Sequence, residues 1–121
     1  MEDAFDEREK GFEAKFKLDQ ELRFKAGSRR NKLIGLWAAE RMGMDAEAGH
    51  AYAMEVVRAD AGEPGTGAVV AKVVEDLAAH GIAVGEAEVA AELERLYAIA
   101  LDQVRAEYPM PLGDDHQRTG G

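Results

Sequence analysis

The chain lacks cysteine, which excludes a disulfide framework and any thiolate metal site. It also lacks an apolar run near the roughly 18 residues that a membrane-spanning helix needs. Basic residues are outnumbered by acidic ones, and the formal net charge of −9 argues against bulk attraction to nucleic acid or anionic membranes. The acidic N-terminus has no apolar core of the kind found in signal peptides, so we expect a cytoplasmic protein. A length of 121 residues fits one domain.

The apolar residues that are present follow a helical spacing in four places. The four stripes are Leu22, Ala26, Leu33 and Trp37; Ala48, Tyr52, Val56 and Ala59; Val69 or Val70, Val73, Val74 and Leu77; and Val89, Leu93, Leu96, Tyr97, Ala100 and Val104. Cap and turn residues separate them, namely Gly43, Asp45, the segment 61–67, Gly81 and the prolines Pro109 and Pro111. The sequence therefore predicts an all-α fold, a small four-helix bundle over residues 18–108, followed by a disordered tail over residues 109–121.

The segment NKLIGLWAAERMG, residues 31–43, is the most hydrophobic stretch and holds the single tryptophan, Trp37. Residues 33–38 are apolar on nearly every face, which is typical of a central helix, and we expect Trp37 to be buried. Gly35 costs up to about 1 kcal/mol of helix propensity relative to alanine. Because glycine presents no side chain, we expect another helix to approach closely at this residue.

Positive charge is concentrated near the N-terminus. Residues 8–32 hold nine Lys or Arg against four acids, whereas residues 33–121 hold six against sixteen. In the same region Phe5, Phe12 and Phe16 share one helical face. Two interpretations have comparable weight on the residues alone. The stripe either extends the first helix onto the bundle, or residues 1–17 form an arm that is mobile when free and helical in a partner's groove.

Residue patterns for catalysis and metal binding are nearly absent. The three histidines are scattered and form no H-x-x-x-H pair. Gly62 and Gly67 have the spacing of a phosphate loop, but Ala68 and Val69 stand where that loop needs Lys and then Ser or Thr. We therefore expect neither an enzyme nor a metal site.

Four segments of the chain resemble the zeta-subunit inhibitors of the bacterial, alphaproteobacterial, F-type ATP synthase. They are FDEREKGFEAKF (5–16), FKAGSRRNKLIGLWAAERMG (24–43), AYAMEVVRAD (51–60) and HGIAVGEAEV (80–89). The resemblance implies a four-helix bundle that binds the catalytic F1 head and blocks ATP hydrolysis, with residues 1–17 as the inhibitory element. It places these side chains at the partner: Phe5, Arg8, Phe12, Lys15 and Phe16.

The resemblance also implies weak binding of ATP or ADP by the bundle, with no cofactor required. The candidates for phosphate contact are the cations Lys25, Arg29, Arg30 and Lys32. Lys25, Arg29 and Lys32 share one helical face and Arg30 lies beside them. Arginine can hold a phosphate through paired N–H donors, and lysine contributes a point charge. Plain solvation of a helix surface is the alternative for each residue.

Two other classes of function remain open. A nucleic-acid binder would use the basic arm, but the chain has no recognisable nucleic-acid-binding motif and its acidic body would repel the phosphate backbone. A scaffold, an assembly factor or an adenine-nucleotide-sensing bundle would share the fold without inhibiting anything. We expect no nucleic-acid contact, no direct membrane insertion and a monomer when free. We expect only peripheral association with the membrane, through the ATP synthase.

Overall fold

The computed structural model describes residues 2–60 and 65–107, with side chains described from residue 17 onward. The chain forms four helices, which are α1 (Glu2–Arg41), α2 (Ala46–Ala59), α3 (Gly67–Ala79) and α4 (Glu86–Glu107). No strand occurs in these ranges, so the predicted all-α fold with four helices is confirmed. The tail predicted over residues 109–121 lies outside the described residues. The backbone of α1 is helical from Glu2, and the mobility of residues 1–17 in the free protein stays a prediction.

Helix α1 is the central element of the bundle. It packs extensively against both α2 and α4 and makes fewer contacts with α3. The main core draws buried apolar side chains from every helix, including Ile34, Val56, Val73 and Leu93. A smaller cluster of Ala26, Ala100 and Val104 joins α1 to the last turns of α4. The predicted stripes are confirmed in α3 and α4, whereas in α2 Ala48 is exposed and the neighbouring Gly49 and Ala53 are buried.

The junction between α1 and α2 has the predicted caps. Gly43 adopts φ +79°, a left-handed conformation that ends a helix readily because glycine has no Cβ. Asp45 then opens α2, and its side chain accepts a hydrogen bond from the Ala48 backbone N–H at 2.8 Å. This short connection turns the chain back, so that α2 runs along α1 in the opposite direction.

At Gly35 the backbone of α2 approaches α1 closely. A Cβ built on Gly35 would lie 2.7 Å from the Cα and 3.1 Å from the Cβ of Ala53, and 3.3 Å from Cγ2 of Val56. No real side chain fits at these distances, so the close approach predicted from the sequence is confirmed. The low helix propensity of Gly35 is offset by this contact between two backbones.

The region around Trp37 departs from the sequence prediction. The ring of Trp37 is only partly buried at the edge of the core, and the guanidinium of Arg41 covers it with its Cζ 4.3 Å from the ring centroid. Leu36 is 36% exposed. The physical reason is that α1 has neighbours on only part of its circumference, so one of its faces remains open although the segment is apolar all round.

Candidate binding groove on the basic face of α1

Three of the four predicted phosphate-binding cations line one groove. The groove lies on α1 beside α2 and the end of α4, and we call it the basic groove. Its cationic members are Lys25, Arg29 and Lys32, and its volume is about 530 Å³. Small-molecule sites commonly measure roughly 300–1,000 Å³, so the space is adequate for a ligand of that kind.

The other walls of the basic groove combine an apolar surface with two oxygen-bearing side chains. Met54 and Val57 of α2 and Val104 of α4 supply the apolar surface. Ser28 brings a hydroxyl, and Glu107 brings a carboxylate at the last residue of α4. The groove therefore places cationic groups beside an apolar wall.

Arg29 is already engaged by α4. Its Nη1 donates to Oε1 of Gln103 at 2.9 Å and to Oε2 of Glu107 at 2.9 Å, and its Nη2 donates to Oε1 of Glu107 at 2.6 Å. The hydrogen bond from Arg29 holds the pKa of Glu107 below its usual value, and the same bond raises the pKa of Arg29. Arg29 and Glu107 are thus both charged at neutral pH and form a bidentate ion pair.

Arg30 is not brought to the basic groove. Its guanidinium lies over the ring of Tyr97, with Cζ 5.7 Å from the centroid, and its Nε donates to Oδ1 of Asn31 at 3.0 Å. The buried Asn31 in turn donates to Oδ2 of Asp60 at 3.0 Å. Successive helical residues point about 100° apart, which sends Arg29 and Arg30 to different faces. Arg30 lines a second groove of about 330 Å³ instead, with Tyr97 and Glu94.

The residues of α4 that pair with Arg29 were not predicted from the sequence. Gln103 and Glu107 are 74 and 78 residues away from Arg29 in the chain. Their pairing depends on α4 running antiparallel to α1 in a particular register, and no local pattern reports that register. The helical spacing had placed Arg30 beside the face shared by the other three cations, and the structure places it in a different groove.

A second polar network, which the sequence did not predict, joins α2 to α3. The buried Tyr52 donates its hydroxyl to Oδ2 of Asp76 at 2.8 Å. Lys72 Nζ lies 3.1 Å from the same oxygen and 3.5 Å from Oε1 of Glu55. Burial, and then the hydrogen bond to Asp76, raise the pKa of Tyr52. The network stabilises the interface between α2 and α3, which make few other contacts with each other.

Within residues 17–60 and 65–107, no group of three or more His, Asp or Glu side chains is arranged to hold a metal ion. None of the helices described above combines the length with the continuous hydrophobicity that a bilayer span requires.

The predicted partner contacts lie outside the described side chains. They are Phe5, Arg8, Phe12, Lys15 and Phe16, all within the first turns of α1. Leu22 packs against the small cluster at the end of α4, and α1 begins about 20 residues before it, at Glu2. At 1.5 Å per residue this N-terminal part of the helix is about 30 Å long. The residues predicted to meet a partner therefore lie on the N-terminal part of the same helix that forms the centre of the bundle.

The fold and the groove define a small all-α bundle built around one long helix, with a basic face on that helix. Residues 1–103 match the model of the family described as ATPase inhibitor subunit zeta. The chain therefore belongs to the ATPase inhibitor subunit zeta family, and the resemblance inferred from its sequence is confirmed.

A solved structure is similar to this chain in sequence and in fold. It is described as a solution NMR structure, and it is 46% identical to this chain with a TM-score of 0.63. The match covers 72% of this chain and 99% of that chain. No curated protein matches the chain. The family match ends at residue 103, so Glu107 lies beyond it.

Proposed function

We propose that this protein inhibits ATP hydrolysis by the F1 head of an F-type ATP synthase, and that residues 1–17 are the inhibitory element. The observation that carries the proposal is the family match, which spans residues 1–103 and so includes both this segment and the bundle. Membership in a family of ATPase inhibitor subunits supports a regulatory role exerted through a partner. The assignment of inhibition to the N-terminal segment is the finer part of the proposal.

The architecture of α1 supports separate roles for the N-terminal segment and the bundle. The 40-residue helix α1 contains both the N-terminal segment and the part around which the other helices pack. The bundle part of α1 is held by α2 at Gly35 and by the buried contact of Ala26 with α4. A segment attached in this way can enter an interface of the partner, while the bundle is too large to enter and remains outside.

In the proposed mechanism the segment wedges into the interface between a catalytic and a non-catalytic subunit near the rotor. Phe5, Phe12 and Phe16 supply buried anchors, because aromatic side chains in fully desolvated pockets dominate binding energies. Arg8 and Lys15 pair with acidic groups of the partner. The wedge blocks rotation in the hydrolytic direction sterically, and the inhibitor makes or breaks no covalent bond.

Titration of purified F1 with this protein tests the proposal. ATP hydrolysis should fall as the protein is added, and the protein should co-purify with F1. A Phe12→Ala/Phe16→Ala variant should lose most of the inhibition, because it lacks two anchors. Ile99→Ala is the matched control, since it removes an exposed apolar side chain, 37% accessible, from α4 instead. Undiminished hydrolysis at saturating wild-type protein would contradict the proposal.

We also propose that the basic groove binds ATP or ADP weakly. Lys25, Arg29 and Lys32 lie together along it, and Met54 and Val57 offer an apolar wall. The cations suit the phosphates and the wall suits the adenine ring. An NMR titration with ATP should shift backbone amides within residues 25–32. Shifts confined to other parts of the chain would exclude the groove as the site.

The rival functions are separated from inhibition by simple measurements. A nucleic-acid binder would bind DNA or RNA with an affinity that falls steeply as salt is added, whereas we expect no such binding. A scaffold or assembly factor would bind F1 and leave its hydrolysis rate unchanged. We propose that the protein acts from the cytoplasmic side as a monomer that reaches the membrane only through the ATP synthase.

A further inference from the structure

Glu107 occupies the position in which a phosphate would meet Arg29. Both of its carboxylate oxygens accept hydrogen bonds from the guanidinium, at 2.6 Å and 2.9 Å. Arginine binds phosphate with the same pair of parallel N–H donors. A carboxylate in this geometry therefore satisfies the donors that would otherwise be offered to a ligand in the basic groove.

The charge of Glu107 also reduces the positive field of the groove. Glu107 lines the basic groove together with Lys25 and Lys32, so its carboxylate faces the same space as these cations. The hydrogen bond from Arg29, and further the charge of Lys25, lower the pKa of Glu107. An anion that enters the groove is repelled by this negative charge as long as Glu107 is bound to Arg29. Its main favourable interaction is then the electrostatic attraction of Lys25 and Lys32.

The ion pair is open enough to exchange. The side chain of Glu107 is 58% exposed and that of Arg29 is 29% exposed. Exposed pairs contribute little free energy because water competes for both partners, so a better ligand can replace one of them. A buried pair would resist such replacement.

We propose that Glu107 is an intramolecular competitor for the anion site, and that a bound polyphosphate displaces it from Arg29. The proposal rests on nucleotide binding in the basic groove and adds the residue that limits it. It also selects the ligand class. A single phosphate merely exchanges with the carboxylate, whereas a di- or triphosphate can contact Arg29 and a lysine together. Glu107 lies beyond residues 1–103, the region that the family model matches.

The test compares Glu107→Gln with Glu94→Gln by calorimetric titration with ATP, pyrophosphate and inorganic phosphate at one ionic strength. Both variants remove one negative charge from α4, but Glu94 lies on the second groove beside Arg30 and Tyr97. We expect Glu107→Gln to tighten ATP and pyrophosphate binding about two- to fivefold, the factor set by an exposed ion pair. Glu94→Gln should bind like wild type. In every protein, inorganic phosphate should bind more weakly than pyrophosphate.

The possible results separate this inference from the nucleotide-binding proposal. If wild type binds ATP and Glu107→Gln binds it no more tightly, Glu107 is not a competitor and the inference is wrong. Equal tightening in Glu94→Gln would show a general effect of net charge and would also overturn it. If ATP shifts no amide within residues 25–32 in wild type or in Glu107→Gln, nucleotide binding in the groove fails as well. Glu107→Ala serves as a second variant, and thermal unfolding confirms that each protein is folded.

Discussion

Replacing Gly35 with alanine should destabilise the bundle although alanine is the better helix former. The added Cβ would stand 2.7 Å from the Cα of Ala53, which is backbone and cannot rotate away. Overpacking of this kind costs about 1–3 kcal/mol, and a backbone clash belongs at the upper end of that range. Alanine returns about 1 kcal/mol of helix propensity. The net loss is therefore about 2 kcal/mol.

Gly27→Ala provides the matched control in the same helix. A Cβ at Gly27 meets only Nη2 of Arg30, at 3.6 Å, so the substitution keeps the propensity gain without a clash. It should stabilise the protein by about 0.5–1 kcal/mol. Urea unfolding followed by circular dichroism measures both changes. A Gly35→Ala protein as stable as wild type would show that α1 and α2 are not in close contact at Gly35, and the description of the bundle would be wrong.

Further predictions concern two aromatic residues. Trp37→Ala should cost about 2 kcal/mol by thermal unfolding, below the roughly 3–5 kcal/mol of a fully buried ring, because Trp37 is only partly buried under Arg41. A loss of about 3–5 kcal/mol would instead place the ring inside the core. Tyr52→Phe should cost about 1 kcal/mol through loss of the hydrogen bond to Asp76, and an unchanged unfolding midpoint in urea would contradict that contact. Because the pKa of Tyr52 is raised in the fold, unfolded tyrosine releases its proton first, near pH 10, so stability should fall above that pH. Tyr52→Phe should make this alkaline decline shallower, and an unchanged slope would contradict the shifted pKa.

The sequence predicted the helices well because their signals are local. The apolar spacing in α3 and α4, the left-handed Gly43 and the N-cap Asp45 all report on residues within a few positions of one another. The close approach at Gly35 was also predictable, since a glycine inside a strongly apolar helix needs a packing reason. These features depend on the backbone near each residue rather than on which helix lies opposite.

The features that the sequence did not predict depend on long-range arrangement. The apolar segment around Leu36 and Trp37 does not reveal which side of α1 lacks a neighbour, so their exposure was missed. Glu107 meets Arg29 only because α4 returns antiparallel along α1 with one register. The basic face was recognised as a candidate site, but the carboxylate that occupies it was not.

The most direct test of the central claim is inhibition of F1 by a protein that lacks residues 1–17. The truncated protein retains all of the described side chains except Lys17, so its bundle should stay folded, with a helical circular dichroism spectrum and cooperative unfolding. It should no longer inhibit ATP hydrolysis by F1, whereas the full-length protein should do so under the same conditions. Full inhibition by the truncated protein would place the inhibitory element in the bundle and contradict the proposed mechanism.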